Sequence, residues 1–185
     1  MRPAAAIVSI KPPESNLPAW MTLLGGGIGI ATPLGITLKK FLCNRLAIPL
    51  TYLEQRIQTI LLNGHPVDDL DGPIVTDGDI IALSAAMPGL AGATLRRGGH
   101  LASMRASISR ISTQADAQTR QSGLVVLKLF NLVAKEIGLQ ILSGEIWIKG
   151  RELAYLRSQN IIPQGSAIEV GPEEWIRLEP TATPS

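Results

Sequence analysis

The chain has 185 residues, of which 45% are hydrophobic, 17% charged and only 4% aromatic, with a formal net charge of +2. This length suffices for one well-buried domain or two small ones, and the core must be built from aliphatic side chains. So small a net charge decides nothing about nucleic-acid or membrane partners. Cys43 stands alone, which excludes an internal disulfide and a cysteine-only metal site within one chain. No window reaches the ~20 uninterrupted apolar residues of a membrane span. Met1-Arg2-Pro3 and the short apolar run after it lack the pattern of a signal peptide. The expectation is a cytoplasmic protein without a membrane segment. With so few charges to keep its surface wet, it is expected to cover some of it with a protein partner or another copy.

Ala4 to Ile10 reads as a strand stopped by Lys11-Pro12-Pro13, with Trp20 to Leu24 as a hairpin partner. Gly25 to Gly29 breaks regular structure. Thr37 caps a helix running to about Ala47, with Leu38, Phe41, Leu42, Arg45 and Leu46 on one side, and Pro49 ends it. Gln58 to Leu62 is a strand closed by the turn pair Asn63-Gly64, and Asp77-Gly78-Asp79 feeds the strand Ile80 to Ser84. Residues 100–112 fit strand and helix spacing alike, with the serines favouring strand. Leu124 to Leu142 reads as one long helix with Val126, Phe130, Val133, Ile137 and Ile141 on a shared face. Its other leucines spread apolar surface nearly all round, as in a buried or partner-covered helix. Glu145 to Lys149 is a strand, Arg151 to Ser158 a short helix, and Ala167 to Val170 with Trp175 to Leu178 a final hairpin around Gly171-Pro172.

Leu61 to Gly92 carries a resemblance. Asn63-Gly64, Asp77-Gly78-Asp79, the strand Ile80 to Ser84 and the tail Pro88-Gly89 to Gly92 resemble the C-terminal half of the small sulfur-carrier proteins, the molybdopterin-synthase small subunit and the thiamine-pathway carrier. The resemblance implies an α+β chain, with a ubiquitin-like β-grasp domain over residues 1–99, a smaller α/β region over 100–180 and a tail over 181–185. Such carriers work through a free C-terminal glycine carboxylate, whose glycine-rich tail can thread a narrow activating channel. This sequence ends at Ser185, so the carrier role needs cleavage after Gly99, at the end of Leu95-Arg96-Arg97-Gly98-Gly99, or after Gly92. The competing reading of Gly98-Gly99 is a turn between strands.

The remaining candidates carry little chemistry. Gly25 to Gly29 has neither a Gly-Lys-Ser/Thr nor a Gly-x-Gly-x-x-Gly opening a helix, so a hairpin or linker fits better than a phosphate loop. From Ile80 to Ala115 there is no acidic residue, while Arg96, Arg97, Arg105 and Arg110 form a candidate anion-binding segment. That segment has no aromatic residue for base stacking, which counts against single-stranded nucleic acid. Asp68, Asp69 and Asp71 lack EF-hand spacing, and neither His65 nor His100 has a metal-ligand neighbour at helical spacing. Cys43 has no recognisable base beside it. No catalytic residue, metal site or cofactor is assigned. The expected function is a non-catalytic interaction module, adaptor or subunit, with the processed carrier or ubiquitin-like modifier and an arginine-based nucleic-acid or anion binder as alternatives.

Overall fold

Alternation of buried and exposed side chains picks out the strands. The computed structural model describes residues 7–10, 16–85, 92, 95–99, 121–162 and 169–180. In chain order these form β1 (Ile7–Ile10), α1 (Leu17–Gly26), β2 (Ile28–Pro33), α2 (Leu38–Lys40, continued by a π-helical turn over Phe41–Arg45), α3 (Leu50–Gln55), β3 (Thr59–Leu62), β4 (His65–Pro66), β5 (Ile80–Ser84), β6 (Ser122–Phe130), α4 (Asn131–Leu142), β7 (Ile146–Lys149), α5 (Glu152–Ser158) and β8 (Trp175–Pro180). The strands build one eight-stranded mixed sheet in the order β1-β8-β7-β2-β6-β5-β3-β4. β1 runs parallel to β8 and β5 parallel to β6, while the other neighbours are antiparallel. β6, from the C-terminal half, lies between β2 and β5. The sheet is therefore continuous across the expected boundary at residue 99.

Local chemistry explains the turns around β3 and β5. Asn63 and Gly64 adopt φ of 52° and 81°, and Gly78 of 80°, the left-handed backbone that asparagine and glycine tolerate best. The two turns brace each other. Asp79, 4% exposed, accepts from the Asn63 amide at 2.7 Å and from the Thr76 N–H at 2.8 Å. Asn63 in turn accepts from the Ile80 N–H at 2.7 Å. β3 and β5 pair antiparallel above this brace, and Leu62, Ile60, Ile81 and Leu83 bury their side chains.

Three segments differ from the sequence reading. Trp20 to Leu24 belongs to helix α1, because the Asn16 side chain caps the Ala19 N–H and Trp20, Leu23 and Leu24 fall on one buried face. Gly25 and Gly26 close that helix, so Gly25 to Gly29 is neither a hairpin nor a linker, and Gly29 sits inside β2. Leu124 to Leu142 is a strand followed by a helix, broken at Asn131 with φ of 54°. Along β6 Val125, Leu127 and Leu129 bury while Val126 and Lys128 are half-buried, which is period 2 rather than 3.6. Thr37 does cap α2, accepting from the Lys40 N–H at 3.3 Å, and Leu38, Phe41 and Leu42 enter the core. That helix ends at Arg45, ahead of Ala47 with φ of 53°, rather than at Pro49, which opens α3. Residues 167–168 of the expected last hairpin lie outside the described residues; β8 finds its antiparallel neighbour in β7.

The helices form one layer on one sheet face. Asn16 of the α1 cap donates to the Gln159 carbonyl just past α5 at 3.2 Å. Gln140 of α4 donates to the Leu46 carbonyl at the end of α2 at 3.1 Å. Tyr52 of α3 donates to Glu136 of α4 at 2.6 Å. A Cβ on Gly138 of α4 would stand 2.7 Å from Leu24 of α1, so glycine there allows the two helices to close. Beneath them one cluster takes in Val8, Ile10, Ile28, Ile30, Val125, Leu127, Ile146, Ile148, Ile176 and Leu178. Burying each such side chain contributes about 1.5–3 kcal/mol. Among the described residues no helix is long and apolar enough to cross a membrane.

Candidate functional site

The segment that resembles a carrier tail is tied down where it is described. Arg96 to Gly99 form a turn closed by the Gly99 N–H donating to the Arg96 carbonyl at 3.2 Å, with Gly98 at φ of 58°. The Arg97 N–H donates to the Gln58 carbonyl at 2.7 Å, just ahead of β3. Its guanidinium reaches the Leu53 and Asp68 carbonyls at 3.4 Å each, and the Gly98 N–H points at Asp68 at 3.4 Å. Gly92 is buried. Arg105 and Arg110 lie outside the described residues, so only Arg96 and Arg97 of the candidate anion segment are placed. Beside them runs an open groove of about 500 Å³ lined by Glu54, Gln55, Ile57, Gln58 and Asp68 as well as the arginines. Its two carboxylates offset its two guanidiniums.

The sheet face opposite the helices carries the larger concentration of recognition chemistry. Strand register sets Ile7, Arg177, Trp147, Gly29, Val126 and Ile80 in a single row across six strands. Ile7 is 56% exposed and Ile80 40%. On one side of the row stand Glu145 and Glu179, which bracket Arg177 at 3.7 and 2.7 Å. On the other side stand Trp175 and Lys149 in register, with Lys128 further across. The Lys149 ammonium lies 4.5 Å from the Trp175 ring centroid, a cation–π contact. A Cβ on Gly29 would stand 2.9 Å from both Trp147 Cβ and the Trp175 ring. Glycine is needed at that position because Trp175 lies across the strand. Leu124, on the same face, is buried and stands outside the main cluster, so the face closes at that end of β6.

Sequence reasoning placed both tryptophans on strands without reading which face they take. The signal was there: Ile146 and Ile148 flank Trp147, and Ile176 follows Trp175, so alternation sends the indoles away from the core.

Other polar clusters read as bracing. Tyr52, Arg56 and Glu136 join α3 to α4, with the Arg56 guanidinium paired to the carboxylate. Hydrogen bonds from Arg56 and Tyr52 hold the Glu136 carboxyl below its ordinary range, and burial followed by the Glu136 contact pushes the Tyr52 phenol well up. Lys39 pairs with Asp71 at 2.9 Å, and that hydrogen bond raises its ammonium pKa. The Asp71 N–H donates to Asp69 at 2.9 Å, a turn contact within the acidic cluster. Burial pushes the Cys43 thiol up, away from thiolate reactivity. Among the described residues no three His, Cys, Asp or Glu side chains group as a metal site. Comparison with protein-family models, curated proteins and solved structures gave no match.

Proposed function

We propose that the chain is a non-catalytic interaction protein built on a β-grasp sheet, and that the sheet face opposite the described helices is where a partner docks. The β-grasp part of the proposal is supported by α2, which lies between β2 and β3 in sequence and buries Leu38, Phe41 and Leu42, and by β3 and β5 pairing about Asn63-Gly64. In this reading β2 and β6 supply the first strand pair, in place of residues 4–10 and 20–24.

The observation that carries the functional reading is the placement of Trp147 and Trp175, two of three tryptophans in the chain, on a surface beside Arg177 with exposed Ile7 and Ile80 at its ends. Tryptophan and arginine dominate the energetics of protein interfaces, since each joins broad apolar contact to a polar tip. The processed-carrier alternative fits less well, because releasing everything after Gly99 removes β6 from between β2 and β5. The anion-binding alternative is weakened by Glu54 and Asp68 in the arginine groove.

The test is to isolate the native assembly by size and repeat the isolation with Trp147→Ala. The assembly should dissociate while the melting temperature of the chain stays near wild type. An assembly indifferent to Trp147→Ala and Trp175→Ala, or small-molecule turnover that depends on the arginine groove, would remove the proposal.

A further inference from the structure

Asn63-Gly64 carries a chemistry as well as a turn. A backbone nitrogen can attack the side-chain amide of the asparagine before it, and a glycine at that nitrogen has no Cβ to shield it. Asn16, Asn44, Asn131 and Asn160 are followed by leucine, arginine, leucine and isoleucine, whereas Asn63 is followed by glycine. Both turn residues are exposed, and even a Cβ on Gly64 would meet nothing within 4 Å. What opposes the attack is the brace. The Asn63 amide donates to Asp79 at 2.7 Å and accepts from the Ile80 N–H at 2.7 Å. Both bonds must break before the amide carbon can swing back to the Gly64 nitrogen.

We infer that Asn63 is a site of spontaneous deamidation guarded by Asp79, and that the modification is a one-way switch which loosens the start of β6. The Gly64 nitrogen bonds to the Asn63 Cγ, the Cγ–Nδ2 bond breaks, and Nδ2 leaves as ammonia with the proton that Gly64 gives up. Water then opens the cyclic imide and returns a proton to the Gly64 nitrogen. Position 63 is left with a carboxylate, as aspartate or, where the backbone C–N bond is the one cut, as isoaspartate. No electrons change hands, and water is the sole co-reactant.

Charge makes the step a switch. Asp79 is 4% exposed and also accepts from the Thr76 N–H at 2.8 Å. In the product a carboxylate, which cannot donate, stands where the Asn63 amide donated, so like charges face each other beside a buried group. The turn carrying Asp79 fastens β6 to this half of the sheet. The Gly78 N–H donates to the Leu124 carbonyl, the Val126 N–H to the Asp79 carbonyl and the Leu124 N–H to the Asp77 carboxylate, each at 2.8 Å. Driving Asp79 away from position 63 pulls on all three.

Peptide mapping by mass spectrometry of the full-length folded chain, held at neutral and at alkaline pH beside a synthetic peptide of residues 58–68, is the test. Asn63 should convert to aspartate and isoaspartate, faster at the higher pH as more of the Gly64 nitrogen is deprotonated. The chain should react roughly tenfold or more slowly than the peptide, because two hydrogen bonds must open first. Asp79→Asn weakens the charged bond of the guard and should speed the conversion several-fold. Asn63→Asp, which imitates one product, should lower the urea midpoint and speed hydrogen exchange at the Leu124 and Val126 amides. Adding Asp79→Asn to it should restore both, since the new amide donates to the new carboxylate. Where Asn63→Asp alone does not fold, folding of the double variant gives the same answer. An Asn63 that stays intact in the folded chain, that reacts there as fast as in the peptide, or that ignores Asp79→Asn overturns the inference. So does an Asn63→Asp chain as stable as wild type, or one that Asp79→Asn fails to rescue.

Discussion

Cutting the chain after Gly99 and discarding the remainder should leave a fragment that does not fold. The fragment keeps β2, β3 and β5 but loses β6, which supplies the hydrogen-bonding partner to β2 on one side and β5 on the other. With it go Val125, Leu127 and Leu129, all at most 1% exposed. Burial of those three side chains is worth roughly 5–9 kcal/mol, against a whole-domain stability of about 5–15 kcal/mol. α4 leaves as well, taking Val133, Ile137, Ile141 and Leu142 from over the sheet. Far-UV circular dichroism and urea titration of residues 1–99 should show no cooperative transition. A chain nicked after Gly99 but not separated keeps β6 in place and should still melt as one unit. A 1–99 fragment with a sigmoidal transition near that of the full chain would refute the placement of β6 and restore the processed-carrier reading.

Three further outcomes follow from the geometry. Asp79→Ala strips acceptors from Asn63 and Thr76 at a site 4% exposed, and should lower urea stability by roughly 2–4 kcal/mol, hydrogen bonds to a charge being worth about 1.5–3 kcal/mol each. Gly29→Ala forces a Cβ into Trp147 and Trp175, and should cost about 1–3 kcal/mol and shift tryptophan emission to the red as Trp175 lifts from the sheet. The Tyr52–Arg56–Glu136 brace makes stability pH-dependent at both ends. Because the folded Glu136 pKa is lowered, its contribution is complete above the unfolded value of about 4.3 and is lost as pH falls through the folded one. Because the Tyr52 pKa is raised, its contribution is complete below about 10 and is lost as pH rises toward the folded value. Urea midpoints across pH should show a flatter acid limb for Glu136→Gln and a flatter alkaline limb for Tyr52→Phe.

Segments bracketed by strong turn chemistry were legible in the sequence. Asn63-Gly64 and Asp77-Gly78 fix the backbone on either side of short alternating runs, leaving β3 and β5 few alternatives. Trp20 to Leu24 is five residues long and too short for its period to show; the deciding signal was Asn16, a cap standing upstream of the run. Leu124 to Leu142 carries apolar residues nearly all round and so satisfies both periods, and its division depends on the single left-handed residue Asn131. α3 was missed because Pro49 reads as a stop, although proline also suits a helix start. The insertion of β6 between β2 and β5 has no local mark, since pairing between distant segments is a property of the whole sheet. Trp147 and Trp175 are readable as strand residues, but their neighbourhood with Gly29 and Arg177 comes only from that pairing.

Oxidative footprinting read by mass spectrometry, on the isolated chain and on its native assembly, probes the docking face most directly. Trp147 and Trp175 should be modified when the chain is free and protected when it is associated, while Trp20, with 0% exposure, resists modification in both. Equal modification of Trp147 and Trp175 in the two states, with protection appearing on the helix layer instead, would contradict the assignment of the open sheet face as the contact surface.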